Sequence, residues 1–478
     1  MKLLRFITYR IGIVLLPALL SGCAGSVFIP YPDHLHDTRQ ALWKDQLPQA
    51  VKAVNKQAGA QSVQLDQAEV GRVEQIAEHY QPSMDAYQKA LNEVQSQQLA
   101  AKIQVTSIAS DTASIAVNDN VIPYRLQDYE VVMLYTEQIM NYLAQGDLQN
   151  ALVMVRQANE EQLWVKEQYH KELLQAQQKA DQSGWNFNPD DHAQAFSSTM
   201  SAAASVKNSF ENGFLYYLSA LAYQSSGDLN NAYVSLQNAL SVAPDNPYVR
   251  QQIMDVLLQR DGSSSSLLPQ YQRNFGLPAP TLPINSGQLV VVYEQGLVPP
   301  IESIKIPLPI ITSQGLSQIQ TYTFPIYKAK PFDVRPLQVN INGVGDYPTA
   351  IVANIKGMAA KSLSNRYLMI FVRETIRFLS KTIVTQAAYN SSNQGVNLLG
   401  LVSQIYSLVT DNPDQRSWLT LPDNIQVMQH YMVPGTYQVS LGDAGHQQAI
   451  SVTIMPNHTV LLWVIQVGQT FVVKSISL

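Results

Sequence analysis

Cysteine is nearly absent from this chain of 478 residues, because Cys23 is the only one. A single thiol excludes an internal disulfide and any zinc site built on paired cysteines, so the stability of the fold must come from packing. Charged residues are also scarce, at 14%, and Gln, Asn and Ser supply much of the polar surface instead. The net charge of −5 excludes the basic balance that nucleic-acid binders show.

The common catalytic patterns are missing as well. The sequence contains no His-Glu-x-x-His, no Walker loop and no Gly-x-Ser-x-Gly. The densest histidine cluster, Asp33–Asp37, would place alternate side chains on one face if extended and would then suit a transition metal. We interpret it as part of a solvated tether, and Asp190-Asp191-His192 as a polar loop. We therefore expect no enzyme, no cofactor, no metal site and no small-molecule ligand.

The first residues have the layout of a signal peptide. Basic Lys2, Arg5 and Arg10 precede an apolar run, Ile11–Leu20, which is shorter than the ~20 residues that span a bilayer. No second apolar stretch is long and uncharged enough to span a membrane either. The sequence therefore predicts an exported chain that is anchored to a membrane rather than crossing it.

The end of this run, Leu20-Ser21-Gly22-Cys23, resembles the lipobox of bacterial lipoproteins. The resemblance implies cleavage before Cys23, a change in net charge from −5 to −8, and fatty acyl chains such as palmitate on the new N-terminal cysteine. Two or three chains give stable anchoring. Ala24 and Gly25 in place of Asp imply sorting to the outer membrane. The alternative is an ordinary secretory signal that happens to end near a cysteine.

The strongest internal signal is a repeated hexamer. Gly-Asp-Leu-Gln-Asn-Ala at Gly146–Ala151 matches Gly-Asp-Leu-Asn-Asn-Ala at Gly227–Ala232. Glycine permits the left-handed residue that ends a helix, and Asp caps the next helix through its side-chain oxygen. Each hexamer is therefore predicted to join two antiparallel helices.

The surrounding spacing is typical of tetratricopeptide (TPR) repeats, in which aromatic residues and a small alanine fill the space between paired helices. We assign the packing positions of the two units to Tyr135, Tyr142, Ala151, Tyr216, Tyr223 and Ala232. The alternative is two ordinary helical hairpins that share a turn sequence. Either reading predicts an all-α hairpin region.

The composition divides the chain into five segments. They are a lipoprotein signal peptide (1–22), a tether (23–49), an α-helical TPR-like domain (50–261), a Ser/Pro-rich linker (262–286) and an α+β domain (287–478). In the last segment we predict strands near 288–293, 301–306, 319–324, 337–341, 436–440, 449–454, 459–467 and 471–474. Two helices, 349–389 and 396–410, are expected to cover a single sheet.

Val131–Gln168, Asn208–Pro244 and the run from Arg416-Ser417-Trp418-Leu419-Thr420-Leu421-Pro422 to Tyr437 resemble an uncharacterised family of bacterial TPR-containing outer-membrane lipoproteins. Genes of that family tend to neighbour lipoprotein activators of penicillin-binding proteins. The family's Arg-Arg-Ala-Asn pattern corresponds here to Arg156-Gln157-Ala158-Asn159, so one arginine is missing. Membership implies an envelope lipoprotein with helical repeats, and Arg156 becomes a candidate contact residue.

One basic stripe is a further candidate partner-binding surface. Arg366, Arg373, Arg377 and Lys381 are separated by seven, four and four residues and would share one face of the predicted helix. Like charges at this spacing disfavour a helix by ~0.2–0.5 kcal/mol per pair unless a partner offsets them. The stripe is either a solvated face or a surface that faces an acidic partner domain, an internal carboxylate cluster or a phosphate-bearing envelope polymer.

These observations predict a periplasm-facing outer-membrane lipoprotein that acts as a protein–protein interaction scaffold or regulator of an envelope machine for cell-wall synthesis or secretion. Its partners would be envelope proteins, with the membrane reached through the lipid anchor. An envelope hydrolase with a TPR targeting arm and a structural subunit of a secretion or surface complex are the alternatives.

Overall fold

The fold was analysed in a computed structural model that describes residues 29–59, 62–104, 123–183, 189–311, 317–328, 334–375, 413–443 and 445–478. It confirms the predicted fold class, a helical-hairpin region followed by an α+β region. Cys23, Arg377, Lys381 and the expected helix 396–410 lie outside the described residues. None of the described helices is long and apolar enough to cross a membrane.

Helices occupy most of the first 275 residues. In chain order they are α1 (Tyr31–His34), α2 (His36–Trp43), α3 (Leu47–Gln57), α4 (Val63–Ile76), α5 (Tyr80–Gln104), α6 (Asp128–Ala144), α7 (Leu148–Ser183), α8 (Ala193–Ala203), α9 (Gly213–Ser225), α10 (Leu229–Val242), α11 (Pro247–Asp261) and α12 (Leu268–Phe275). Antiparallel pairs α4/α5, α6/α7 and α9/α10 pack as hairpins, and α11 packs on α10.

The two hexamers form the same turn in α6/α7 and α9/α10. Gly146 has a φ of 73° and Gly227 a φ of 81°, in the left-handed region that favours glycine. The Asp147 carboxylate accepts the backbone N–H of Asn150 at 3.0 Å, and Asp228 accepts that of Asn231 at 3.1 Å. The predicted helix ends and caps therefore have matching geometry in both copies.

The remaining chain contains strands β1 (Gly287–Gln295), β2 (Glu302–Ile311), β3 (Ser317–Ile326), β4 (Gln338–Ile341), β5 (Gly345–Pro348) and β6 (Ala350–Asn354), helix α13 (Ile355–Asn365), and strands β7 (Asn424–Met432), β8 (Gly435–Gly442), β9 (Gln447–Ile454), β10 (Thr459–Val467) and β11 (Thr470–Ser477). The strands form a five-stranded sheet in the order β11-β10-β1-β7-β6, a four-stranded sheet β5-β4-β8-β9 and a ribbon β2-β3. The expectation of a single sheet was wrong.

The five-stranded sheet is the middle of three layers. Val290, Val292 and Trp463 on one face belong to the same apolar cluster as the helices. Leu289 and Val291 on the other face pack with the four-stranded sheet. Strand β1 is therefore buried on both sides, which explains why its sequence is a continuous apolar run rather than an alternating one.

Three boundaries differ from those expected. The expected tether is helical from Tyr31, and Tyr31, Leu35 and Leu42 are buried in the main apolar cluster. The expected linker contains α12, and residues 276–286 after this helix form neither helix nor strand. The helix expected from residue 349 begins at Ile355 instead, because residues 350–354 pair with β7.

Candidate functional site

Two buried glutamates of the helical region hold the segment Ser417–Pro422, which leads into β7. Glu69 in α4 accepts the backbone N–H groups of Leu419 at 2.6 Å and Thr420 at 3.2 Å. The hydroxyl of Tyr31 also donates to Glu69, at 3.2 Å. Burial raises the pKa of Glu69 to about 7, although the hydrogen bonds from Thr420 and Leu419 and the charge of Arg39 lower it. This carboxyl thus joins the helical region to the sheet region.

Glu130 in α6 makes the second attachment. Its carboxylate accepts the backbone N–H of Trp418 at 2.7 Å, the hydroxyl of Tyr124 at 2.7 Å and that of Tyr129 at 3.0 Å. The side chain is fully buried, and burial raises its pKa while these donors and the N–H of Gln127 lower it. Because four donors converge on its two oxygens, Glu130 has no acceptor position left for a substrate.

Arg39 in α2 completes this arrangement from the N-terminal side. Its guanidinium donates to the carbonyl oxygens of Val298, at 3.0 Å, and of Leu419. We call Glu69, Glu130, Arg39 and the segment Ser417–Pro422 the carboxylate clamp. Its members come from α2, α4, α6 and the loop before β7, so it fixes the helices relative to the central sheet.

A second buried charge cluster lies between α4, α6 and β1. Arg72 pairs with Glu137 at 3.0 Å and with Glu294, and all three side chains are at most 1% exposed. The indole N–H of Trp463 donates to Glu294 at 2.7 Å. Burial lowers the pKa of Arg72, but the two carboxylates more than offset this and raise it. The guanidinium therefore remains charged and ties both helices to the sheet.

The described residues contain one small cleft beside the clamp, with room for about one water molecule. Tyr31, His34, Asp66 and Glu69 line it together with apolar residues. Nε2 of His34 is buried without a hydrogen-bond partner in the described part of the chain. Within those residues, no three His, Cys, Asp or Glu side chains are grouped in a way that would hold a metal ion. The cleft is too small to enclose an organic substrate.

The repeat residues all belong to the main apolar cluster or pack against it. Ala151 and Ala232 are fully buried, Tyr135 is 2% exposed and Tyr142 is half-buried. Tyr216 and Tyr223 are also buried. After each hexamer, buried and exposed residues follow in the same order along α7 and α10. Val153 and Val234 occupy equivalent positions in this order and are 40% and 51% exposed.

The first helix of each repeat leaves no open groove. Every residue from Tyr129 to Asn141 in α6 and from Gly213 to Tyr223 in α9 is buried. The hydroxyl of Tyr217 donates to Gln429 of β7 at 3.3 Å, and α6 lies against β11. The face that a TPR-like array offers to a peptide is therefore covered here by the chain's own sheet.

The described part of the basic stripe is half-buried. Arg366 ends α13, and its Nε donates to the carbonyl of Ser362 at 3.2 Å. Its charge lowers the pKa of Tyr124, against the larger effect of burial, which raises it. Arg373 belongs to a helical stretch, 367–375, that begins after a break at Arg366. The assumption of one unbroken helix through Arg366 and Arg373 was therefore wrong.

Arg156 is exposed on α7. Burial raises the pKa of Tyr223 in α9, and the nearby guanidinium of Arg156 partly offsets this effect. Arg156 thus lies close to the second hairpin and on the same helix as exposed Val153. Sequence reasoning missed Glu69, Glu130, Arg72 and Arg39, since isolated charges on helices are also typical of solvated faces.

Comparison with protein-family models, with curated proteins and with solved structures finds no match for this chain. The function therefore has to be argued from the geometry. The buried carboxylates bind groups of the chain itself, and the arrangement joins two regions rigidly. Such an arrangement holds the outer surfaces of the helical region and the sheet region in fixed positions relative to each other.

Proposed function

We propose that this chain is a periplasm-facing outer-membrane lipoprotein that serves as a rigid interaction scaffold, or as a regulator, for an envelope machine of cell-wall synthesis or secretion. The signal-peptide layout and the lipobox resemblance around Cys23 support the anchor. The repeated hairpins support recognition of another protein, since stacked hairpins present extended surfaces.

The carboxylate clamp is the observation that carries the scaffold role. Two buried carboxyl groups, Glu69 and Glu130, and the half-buried guanidinium of Arg39 hold one short segment through its backbone N–H and C=O groups. A buried backbone group that loses such a partner costs about 1–3 kcal/mol, so the two regions do not separate easily. A rigid body of this kind suits a protein that positions partners.

The partner surface on this proposal is the outer side of α7 and α10. The inner helices α6 and α9 are covered by the sheet, which leaves the outer helices accessible. Exposed Val153 and Val234 repeat at equivalent positions, and Arg156 lies one helical turn after Val153. Arginine is among the residues enriched in protein–protein interfaces.

Photo-crosslinking in living cells tests this surface. A crosslinking side chain at Val153 or Val234 is expected to capture the same envelope protein, whereas one at exposed Lys89 on α5 is expected to capture none. Mass spectrometry identifies the captured protein. Identical products from all three positions, or no specific product from Val153 and Val234, contradict the proposed surface.

Metabolic labelling with a radioactive fatty acid tests the anchor separately. The wild-type chain is expected to be labelled and to fractionate with outer membranes. Cys23→Ala is expected to lose the label. Equal labelling of both proteins would contradict lipidation at Cys23.

A further inference from the structure

The exposed strand edges of the sheets are protected to very different degrees. Edge strand β6 is covered, since the amide of Asn246 donates to the carbonyls of Ala350 at 3.1 Å and Ile351 at 2.8 Å. Edge strand β11 carries Lys474, and the N–H of Gln469 just before it donates to Trp43 at 2.8 Å. Charges, covering elements and prolines are the usual means by which an edge avoids pairing with another chain.

The other edges follow the same rule. Strand β5 has only four residues and ends at Pro348. The ribbon has Pro307 and Pro309 in β2 and Pro325 in β3, each of which lacks the N–H that a new strand would need. Each of these edges is a poor template for a further strand.

Strand β9 is the exception among the described edges. Its eight residues, Gln-Gln-Ala-Ile-Ser-Val-Thr-Ile, include no charged residue and no proline. It pairs only with β8, in regular antiparallel register. Because bonded and non-bonded pairs alternate in such a ladder, about half of its residues direct N–H and C=O groups outward. No described residue hydrogen-bonds to that outer backbone.

The two faces of β9 are clearly distinguished. Val452 and Ile454 are buried against the central sheet, and Ile450 is half-buried beside them. Gln447, Ala449, Ser451 and Thr453 are exposed on the opposite face. An added strand would therefore extend both the apolar face and the polar face of the sheet. A shift of its pairing by one residue would move its apolar side chains to the polar face, so its register is restricted.

We propose that β9 pairs with β9 of a second copy of this chain, antiparallel across a two-fold axis, to form a continuous eight-stranded sheet. With the axis at Ser451, Ile450 faces the second copy's Val452, and Ala449 faces its Thr453. Next to the axis, apolar residues then meet apolar residues and small residues meet small ones, whereas Gln448 faces Ile454 toward the ends of the pairing.

Charge is the reason for choosing a second copy. In a two-fold pair of identical strands, a charged residue on the axis faces its own copy, and one next to the axis lies diagonally close to its copy, which is destabilising. Strand β9 is free of charged residues along its whole length, so this penalty is absent in every two-fold register. Strand β9 can therefore pair with an identical strand without repulsion between like charges, whereas β11 carries Lys474.

Sedimentation velocity on the purified full chain in detergent, over a range of protein concentrations, tests the proposal. The wild type is expected to form a reversible dimer. Ser451→Lys and Ser451→Glu each place like charges opposite one another on the axis and are expected to weaken the dimer about two- to fivefold. Gln438→Lys is the matched control, because Gln438 is exposed directly opposite Ser451 but on interior strand β8.

A mixture of the Lys and Glu variants distinguishes edge pairing from misfolding. Opposite charges then meet across the axis, so the mixture is expected to regain the dimer while each variant alone does not. A wild type that stays monomeric throughout, a Ser451→Lys dimer as tight as the wild type, or a mixture that fails to recover would overturn the proposal. None of these results depends on the envelope partner proposed above.

Discussion

The carboxylate of Glu69 accepts the backbone N–H of Leu419 at 2.6 Å, although 350 residues separate the two in the chain. The same carboxylate accepts the N–H and the hydroxyl of Thr420. A single helical side chain thus satisfies donors of a loop that would otherwise be buried without partners. The contact makes the position of β7, the strand that follows, depend on α4.

Removal of this carboxylate is expected to destabilise the whole chain. Glu69→Ala leaves the N–H groups of Leu419 and Thr420 buried and unpaired, at about 1–3 kcal/mol each. We expect a loss of about 3 kcal/mol in the free energy of unfolding, measured by urea denaturation. Glu69→Gln keeps one acceptor and should lose less, and exposed Glu167→Ala should lose almost nothing. Equal losses in the Glu69 and Glu167 variants would contradict the clamp.

Stability is expected to fall as the pH rises through the weakly acidic range. The pKa of Glu69 is about 7 in the folded state against 4.5 ordinarily, because burial disfavours its charge. Between these values the folded chain holds a proton that the unfolded chain releases, so unfolding becomes easier by about 1.4 kcal/mol per pH unit. Burial likewise raises the pKa of Asp255 to about 7, with the same sign.

Urea denaturation at pH 5 and pH 7 measures this slope. Glu69→Gln cannot titrate and should reduce the slope by about one proton relative to the wild type. An unchanged slope in that variant would show that Glu69 does not carry the pH dependence.

The repeated turns provide a paired test of the caps. Asp147→Ala and Asp228→Ala each remove an acceptor for a helical N–H, and each should cost about 1 kcal/mol of stability. Thermal unfolding should show similar decreases in Tm for both variants and little change for exposed Asp191→Ala. Very unequal decreases would indicate that the two turns have different roles.

Two glycines should differ sharply when replaced by alanine. A Cβ at Gly227 meets nothing within 4 Å, so Gly227→Ala should cost only about 1–2 kcal/mol for its left-handed backbone. A Cβ at Gly71 would lie 2.4 Å from the ring of Tyr87, which is fully buried. Gly71→Ala should therefore cost more, and urea denaturation of both variants checks the order. The reverse order would contradict the packing of α4 on α5.

The hairpin turns and most strands were accessible from the sequence because their signals are local. The Gly-Asp pair fixes both a helix end and a helix start within two residues, and Leu289–Tyr293 is recognisable as a buried strand from its apolar run alone. The hairpin α4/α5 has no such signal, because Glu78 adopts the left-handed φ of 60° that glycine adopts in the other turns.

The missed elements depend on partners that are distant in the chain. Strand β7 lies between β1 and β6, and Gln426 and Gln429 are buried there by hydrogen bonds to other side chains. Neither glutamine gives an apolar signal. The helices found in the expected tether also depend on distant partners. Arg39 in α2 donates to the backbone carbonyls of residues 298 and 419.

The sequence by itself determined the repeated helical hairpins, the alternating strands and the change from α to α+β structure, because each follows from contacts between near neighbours. The tertiary structure alone decided that the helical face is closed by the sheet and that Glu69 and Glu130 are structural acceptors. It also decided that β9 has only β8 as a strand partner among the described residues. These features follow from long-range burial, which sets whether a polar side chain is solvated or must find a partner inside the fold.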